Sequence, residues 1–379
     1  METGFTARRR AQIRRFGRVL YGAGSAMQKA LADYVRDGDR PDQLLVLEHN
    51  PVFTLGRGAT RADVHASDDF LARNGVEIHQ TDRGGQVTYH GPGQIVVYPI
   101  CNLCGGRQSV SRLVRGLEQA MINTAADFGV IAQRLEKYPG VWVQTPRGWE
   151  KLGALGINLK RWISTHGIAF NLDPHMPCFQ WITPCGITDM GVCSLRSLLG
   201  DGCPCWDEAC KNLIGHLSEI LAFDMLPTFE PSKSVSVTVW RQGATGGPEI
   251  LMMLRCPSKG QWWSSVTGMI EDGETPEMAA HREVLEEAGL VGKLIPLGFQ
   301  HSFWIDPALS GVRSDEPLFN TEICFQMEVP ADRRVALNSA EHSEYRWCKP
   351  DEALALMKWE GSKEALILFL KPLYYSNSK

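Results

Sequence analysis

Hydrophobic and polar positions divide the chain into stretches of different period. Val235-Ser236-Val237-Thr238-Val239-Trp240 alternates residue by residue, the period of a half-buried strand. The cluster Gly243–Pro248 predicts a turn, and Ile250–Leu254 the returning strand. Ile95–Tyr98 is an apolar run of strand length behind a glycine-rich stretch. Leu213–Leu221 reads as helix, and the segment Leu226–Ser234 after it carries two prolines and two serines. A domain boundary is therefore expected near residue 230, giving domains 1–230 and 231–379. Farther on, Thr275-Pro276-Glu277 supplies an N-cap, a proline at the first helical position and an acid in the first turn; Gly289 is the matching stop. At about 100° per residue, Glu283, Glu286 and Glu287 fall at about 0°, 300° and 40°, one narrow face. Met278, Val284, Leu285 and Ala288 take the opposite face and are expected to be buried.

Composition narrows the classes. The 379 residues suffice for two domains, and 44% apolar with 22% charged residues excludes a mainly disordered chain. No stretch approaches the roughly 18 consecutive apolar residues of a membrane span; Ala365–Leu370 is far too short, and no membrane partner is expected. A formal net charge of -4 lacks the basic signature of a nucleic-acid coat, so no nucleic-acid polymer is expected either. Eleven cysteines, an odd number, scatter through the chain, and no apolar signal-peptide core opens it. A reducing, cytoplasmic setting is expected. Cys101-x-x-Cys104 and Cys203-x-Cys205 have metal or redox spacing but no second ligand pair. The basic start, Ala7–Arg15, is read as a solvated terminus rather than a targeting segment or docking arm.

The acidic face needs an explanation, because carboxylates three and four positions apart repel each other on a helix. A hard divalent cation removes that cost and keeps sites open for water and phosphate. Gly268, Glu274 and the run Arg282-Glu283-Val284-Leu285-Glu286-Glu287-Ala288-Gly289-Leu290 together resemble the Nudix box at every defined position. The resemblance implies an α/β/α sandwich whose loop-helix-loop box holds Mg²⁺ or Mn²⁺ and attacks a nucleoside diphosphate linked to another group. It implies Glu283 and Glu287 as first metal ligands, Glu286 close beside them, and Arg282 orienting the carboxylates. Gly268 would let the loop turn and approach closely. More loosely, Trp262–Gly268 and Glu341–Trp347 look like the nucleoside-triphosphate pyrophosphatases acting on dATP or dihydroneopterin triphosphate. That implies a small nucleotide substrate and makes Glu341 a candidate extra metal ligand or base. Trp263 is a candidate to stack on a flat base, with a place in the core as the alternative; Arg255 either meets phosphate or is a surface arginine.

Three stretches stand out in the first half. The first is Asp82-Arg83-Gly84-Gly85-Gln86-Val87-Thr88-Tyr89-His90-Gly91-Pro92-Gly93-Gln94. The second runs from Glu150-Lys151-Leu152-Gly153-Ala154-Leu155-Gly156 to Thr165-His166-Gly167-Ile168-Ala169. The third is Pro184-Cys185-Gly186, a tight turn rather than an apolar strand. Paired glycines bring backbone close to a ligand, without saying which. In this order the stretches closely resemble the octanoyltransferases of lipoate biosynthesis, over about residues 17–222. Gly153-Ala154 departs from relatives that carry a polar or thiol side chain there.

The resemblance implies a mixed α/β domain like that of biotin and lipoate ligases, and a ping-pong acyl transfer. Cys185 would take octanoyl from octanoyl-acyl carrier protein. A lysine of a lipoyl domain, in 2-oxoacid dehydrogenase or glycine cleavage proteins, would receive it. A free thiol titrates near about 8.5, so a neighbouring ammonium, for which Lys151 is the candidate, favours the thiolate. The acyl and carbonyl site would be lined by Arg83, Gly84, Gly85, Gln86, Val87, Thr88, Tyr89, His90, Ala154, Leu155, Gly156, Gly167, Ile168 and Ala169. No cofactor is needed there, because the thioester is already activated. The competing reading is an ATP-dependent lipoate or biotin ligase fused to a Nudix module that senses a nucleotide without cleaving it. Cys185 and the complete set of box carboxylates argue for a bifunctional enzyme instead.

Overall fold

A computed structural model of the chain describes residues 8–37, 39–103, 110–183, 190–244, 246–310, 312 and 314–375. It divides into two compact units, Met1–Glu230 and Pro231–Lys379. Among the described residues, no helix is long and apolar enough to cross a membrane.

The first unit begins with β1 (Arg9–Val19), α1 (Tyr21–Arg36), β2 (Asp42–His49), β3 (Val52–Leu55), α2 (Asp68–Arg73), β4 (Glu77–Gln80), β5 (Val87–His90) and β6 (Gln94–Ile100). It continues with α3 (Val110–Asp127), β7 (Ala132–Leu135), β8 (Tyr138–Thr145), β9 (Gly148–Lys160), β10 (Ile163–Asn171), β11 (Gly191–Val192), α4 (Leu195–Leu199), α5 (Trp206–Ile220) and β12 (Phe223–Phe229). Among the described residues the main sheet runs β12-β1-β2-β6-β10-β9-β8-β7, with β11 added beside β9; β4-β3-β5 form a small second sheet. Helix α3 buries Leu113, Leu117, Met121 and Ala125, spaced as one helical stripe, on the sheet and on α5. Gly116 allows the close approach of α3, since a Cβ there would lie 2.7 Å from Leu221 Cδ2.

One expectation fails in part here. Arg9, Arg10, Arg14 and Arg15 of the basic start belong to β1, an inner strand paired with β12 and β2. Arg14 is fully buried, its Nε donating to Gln43 Oε1 (2.6 Å) and its guanidinium 4.2 Å from the Phe229 ring centroid, while Arg9 pairs with Asp42. Arg9 and Arg14 are thus sheet side chains turned inward, while Arg8, Arg10 and Arg15 remain exposed. Pro227 lies within β12, at the sheet edge, where a missing N–H costs nothing.

The second unit comprises β13 (Ser232–Gln242), β14 (Pro248–Arg255), β15 (Trp263–Ser264), β16 (Val266–Met269), α6 (Pro276–Ala288), β17 (Lys293–Trp304), α7 (Pro307–Ser310), β18 (Phe319–Glu328), β19 (His342–Cys348), α8 (Pro350–Leu356) and α9 (Glu360–Tyr375). Its sheet runs β15-β14-β13-β18-β17, with β16 on β13 and β19 on β14. Alternation along β14 shows both faces covered. Leu251 and Met253 pack with Val284 and Ala288 of α6, while Ile250 and Met252 pack with Ala353, Leu366 and Phe369 of α8 and α9. The architecture is an α/β/α sandwich, and β13 is buried on both faces rather than half-buried. Helix α6 is capped by Thr275, whose side chain accepts from Met278 N, and closed by Gly289 at φ +65°. Its buried residues are Ala279, Ala280, Val284, Glu287 and Ala288; Met278 and Leu285, expected inside, are more than half exposed. The helix is rotated so that small residues meet the sheet and carboxylates lie at the edge of that contact.

Candidate functional site

In the first unit, the loop and strand Arg83–His90 and the middles of β9 and β10 converge on a cavity of about 560 Å³. Its floor is backbone. Gly156 and Gly167 face each other across β9 and β10. A Cβ on Gly167 would lie 2.1 Å from the Val97 carbonyl oxygen, and one on Gly156 2.9 Å from that of Gly84. The glycine loop is seated on β9 by Gly84 N donating to Ile157 O (3.0 Å) and folds back through Gly85 at φ +89°. Arg83 pins it from below: Nη2 donates to Thr54 O (2.6 Å) and Thr54 Oγ1 (2.8 Å).

Lys151 lines this cavity, 7% exposed, with Nζ 4.6 Å from the ring centroid of the buried Trp142. Arg83, Gly84, Gly85, Gln86, Val87, Thr88, His90, Ala154, Leu155, Gly156, Gly167, Ile168 and Ala169 line it too. Tyr89 does not: alternation along β5 sends its ring to the other side, against Phe53 and Phe179. Sequence reasoning missed Tyr21, Tyr98 and Lys137, which line the cavity from α1, β6 and the β7–β8 turn with no local pattern to mark them. It quoted His166 without assigning it a role. That residue also lines the cavity, at φ +57°, with Nε2 2.8 Å from Asp82 Oδ1. Burial lowers the His90 and His166 imidazoles, Asp82 partly opposing the effect at His166. Both imidazoles are thereby held towards the neutral form.

Cys185 lies outside the described residues, as does Cys104. The chain on either side of 184–189 is anchored. Thr183 N donates to Asp63 O (3.0 Å); on the far side Val192 pairs with Lys151, and Cys193 N donates to Lys151 O (3.0 Å). Among the described cysteines none lines the cavity. Cys101, Cys193 and Cys210 belong to the main core and Cys178 to the smaller one. Burial pushes the Cys193 and Cys210 thiols up to about 12, which keeps them protonated.

In the second unit Arg282 organises the box. Its Nε and Nη2 donate to the two carboxylate oxygens of Glu274 (2.8 and 2.9 Å), the fork geometry of a strong charge-assisted pair. Nη1 donates to Glu283 Oε1 (2.7 Å) and Glu286 Oε2 (3.1 Å), and Nη2 also to Met269 O (2.9 Å). These bonds hold the Glu274 carboxyl down to about 2, whereas burial raises that of Glu283 against the pull of Arg282. Gly268 sits in β16, paired with Val235, not in a loop. Glycine is required there because a Cβ would lie 1.8 Å from Glu283 Cδ, so that carboxylate rests on bare backbone. Glu286 is exposed, whereas Glu287 is 4% exposed and its Oε2 is buried without a hydrogen-bond partner. A buried carboxylate oxygen without a partner is costly, and a hard divalent cation suits such oxygens. Glu283, Glu286 and Glu287 therefore fit the cation that a Nudix box implies.

Glu341, the candidate extra metal ligand or base, lies beside two cations. Its Oε1 lies 3.3 Å from Lys259 Nζ and its Oε2 3.9 Å from Arg255 Nη1, outside the Arg282 network. Arg255 is held in turn by Thr267 Oγ1 (2.9 Å). Trp263 packs against the α8–α9 cluster with the Arg346 guanidinium 4.7 Å from its ring, which leaves that face unavailable for stacking. Among the described residues, Cys101, Cys203 and Cys205 belong to no cluster of metal-type ligands.

Comparison with known proteins agrees with this division. The lipoyl protein ligase A/B catalytic domain matches residues 21–217, and the NUDIX domain residues 232–369. An octanoyltransferase of Myxococcus xanthus is 38% identical over 360 residues, 93% of this chain and 97% of that protein, a span that runs through both units. Among solved structures, the dihydroneopterin triphosphate pyrophosphohydrolase of E. coli is similar over 38% of this chain and 99% of its own, at 28% identity and a TM-score of 0.33. A bipartite lipoate protein ligase from Thermoplasma acidophilum is similar over 59% of this chain and 88% of its own, at 15% identity and a TM-score of 0.46. The chain thus belongs to the octanoyltransferases of lipoate biosynthesis, and it is an enzyme with a transferase part and a Nudix hydrolase part.

Proposed function

We propose that the transferase part, residues 1–230, moves octanoyl in two steps through Cys185. In the first, the Cys185 thiolate attacks the thioester carbonyl of octanoyl-acyl carrier protein, the bond to the carrier sulfur breaks, and the carrier leaves as a thiol. In the second, the ε-amine of a lipoyl-domain lysine attacks the Cys185 thioester, an amide forms, and the thiolate returns. Lys151 is the proton carrier, giving a proton to the departing sulfur and receiving one from the attacking amine. The observation that carries this reading is a buried lysine in a glycine-floored cavity, with Val192, seven residues after Cys185, paired beside that lysine. No cofactor enters either step. The test is intact-mass spectrometry of the full chain after incubation with octanoyl-acyl carrier protein, without ATP. The wild type and Cys193→Ser should gain one octanoyl group, and Cys185→Ser none. An adduct on Cys185→Ser, or a requirement for ATP, would refute the assignment.

We infer that the hydrolase part, residues 231–379, is a Mg²⁺-dependent pyrophosphohydrolase of a nucleoside triphosphate or a pterin triphosphate. The unbonded oxygen of Glu287 and the cradle under Glu283 carry this reading. When bound, the cation supplies polarisation of phosphoryl oxygens and activation of water. Glu283 and Glu287 hold it, Arg282 fixes the direction of Glu283 and Glu286, and Glu274 anchors Arg282. The full chain should release pyrophosphate from dATP or dihydroneopterin triphosphate only with Mg²⁺ or Mn²⁺. Failure with both substrates would reject this substrate class.

A further inference from the structure

We propose that His342 is a positioning residue that aims Glu287 at the divalent cation, an inference that rests on reading Glu283 and Glu287 as the metal ligands. His342 is 1% exposed, and both of its ring nitrogens lack a hydrogen-bond partner. Its Nε2 lies 3.4 Å from Glu287 Oε2, the carboxylate oxygen that is itself buried and unbonded. Three buried polar atoms without partners, two of them facing each other, are far more costly than ordinary packing allows. The cost falls if a slight rotation lets Nε2–H donate to Oε2, which fixes the direction of the carboxylate while leaving its remaining lone pairs to the cation. Metal-ligating carboxylates are commonly held this way from behind.

The backbone is built to deliver this contact. Ala336 N donates to Ala288 O (2.8 Å) and Asn338 N to Glu287 O (3.0 Å), so the segment before β19 is stitched to the last turn of α6. His342 N then donates to Asn338 O (2.9 Å). Gly289 permits the approach, since a Cβ there would lie 2.6 Å from Ala336 Cβ. Neighbouring side chains divide the work, with Glu341 paired to Lys259 and Arg255 and His342 turned to Glu287.

Mn²⁺ itself is the probe. Its affinity for the full chain is measured by isothermal titration calorimetry or electron paramagnetic resonance, with no substrate present. His342→Ala should weaken Mn²⁺ binding by roughly 10- to 100-fold. His342→Gln, which can place an amide N–H near the position of Nε2, should recover most of that loss. Affinity in His342→Ala within about twofold of wild type would overturn the proposal. So would equal losses in both variants alongside equal falls in thermal midpoint, which would make His342 a packing residue only. If the wild type itself binds no Mn²⁺, the underlying metal reading fails first, and that result is visible before any variant is made.

Discussion

Glu283 and Glu287 share one helix yet are held by different means. Glu283 depends on an atom that is missing, the Cβ of residue 268, and Glu287 on the segment leading to β19. Gly268→Ala should therefore displace the Glu283 carboxylate and cost about 1–3 kcal/mol of stability, as overpacking does. Pyrophosphate release should fall sharply while octanoyl transfer is unchanged; wild-type hydrolysis in this variant would contradict the cradle. Removing the charge itself, by Glu283→Gln or Glu287→Gln, should lower the rate on the order of a thousandfold, about 4 kcal/mol of transition-state stabilisation. Glu277→Gln, on the exposed first turn of the same helix, should cost far less, and equal losses at all three would indicate helix damage. Legibility differs by residue. The spacing of the box showed which carboxylates share a face, but only contacts show that Glu286 is exposed and Glu341 already paired.

At the scale of elements, the strands of the transferase part are tied by a buried histidine. His49, at the end of β2, places Nδ1 2.8 Å from Val19 O of β1 and Nε2 2.8 Å from the Tyr98 hydroxyl of β6. Burial lowers its titration to about 4. The folded chain keeps it neutral where the unfolded chain, titrating near about 6.5, takes up a proton. Its contribution is thus whole above about pH 6.5 and is lost as pH falls towards 4, amounting to about 2 kcal/mol by pH 5. Denaturant midpoints of the transferase part should fall more steeply between pH 7 and 5 in wild type than in His49→Asn; equal slopes would remove this role. The same element level explains the misread start of the chain. Arginine-rich sequence looks solvated, yet β1 buries Arg14 because Gln43 and the Phe229 ring receive its guanidinium. Those partners are distant in sequence, so no local pattern announces them.

For the whole molecule, the question is whether two activities on one chain need each other. The residues assigned to acyl transfer and the cores beneath them lie before Glu230, and those assigned to pyrophosphate chemistry lie after Pro231. Each part is long enough to bury its own core. Expressed separately, residues 1–230 should transfer octanoyl groups and residues 231–379 hydrolyse nucleotides, each close to its rate in the full chain. A fragment that is folded by circular dichroism but inactive until the other is added would show that the parts are coupled.

What the sequence by itself determined is what depends on neighbours along the chain. The cap and stop of α6, the common face of its carboxylates and the strands either side of the Gly243–Pro248 turn follow from local spacing. The Arg83–His90 run, with its paired glycines, is equally local. Tertiary structure alone decided the rest, because it depends on which distant segments meet. Met278 and Leu285 face solvent because the sheet packs on the alanines of α6. Tyr89 leaves the cavity because the Phe53 and Phe179 rings lie on its side of β5. Tyr21 and Tyr98 enter it because the start of α1 packs beside β6, and His342 meets Glu287 because backbone hydrogen bonds stitch the segment before β19 to the end of α6. Period and capping are read along one strand or helix; partners are chosen by the fold, and burial and charge pairing follow from the partners.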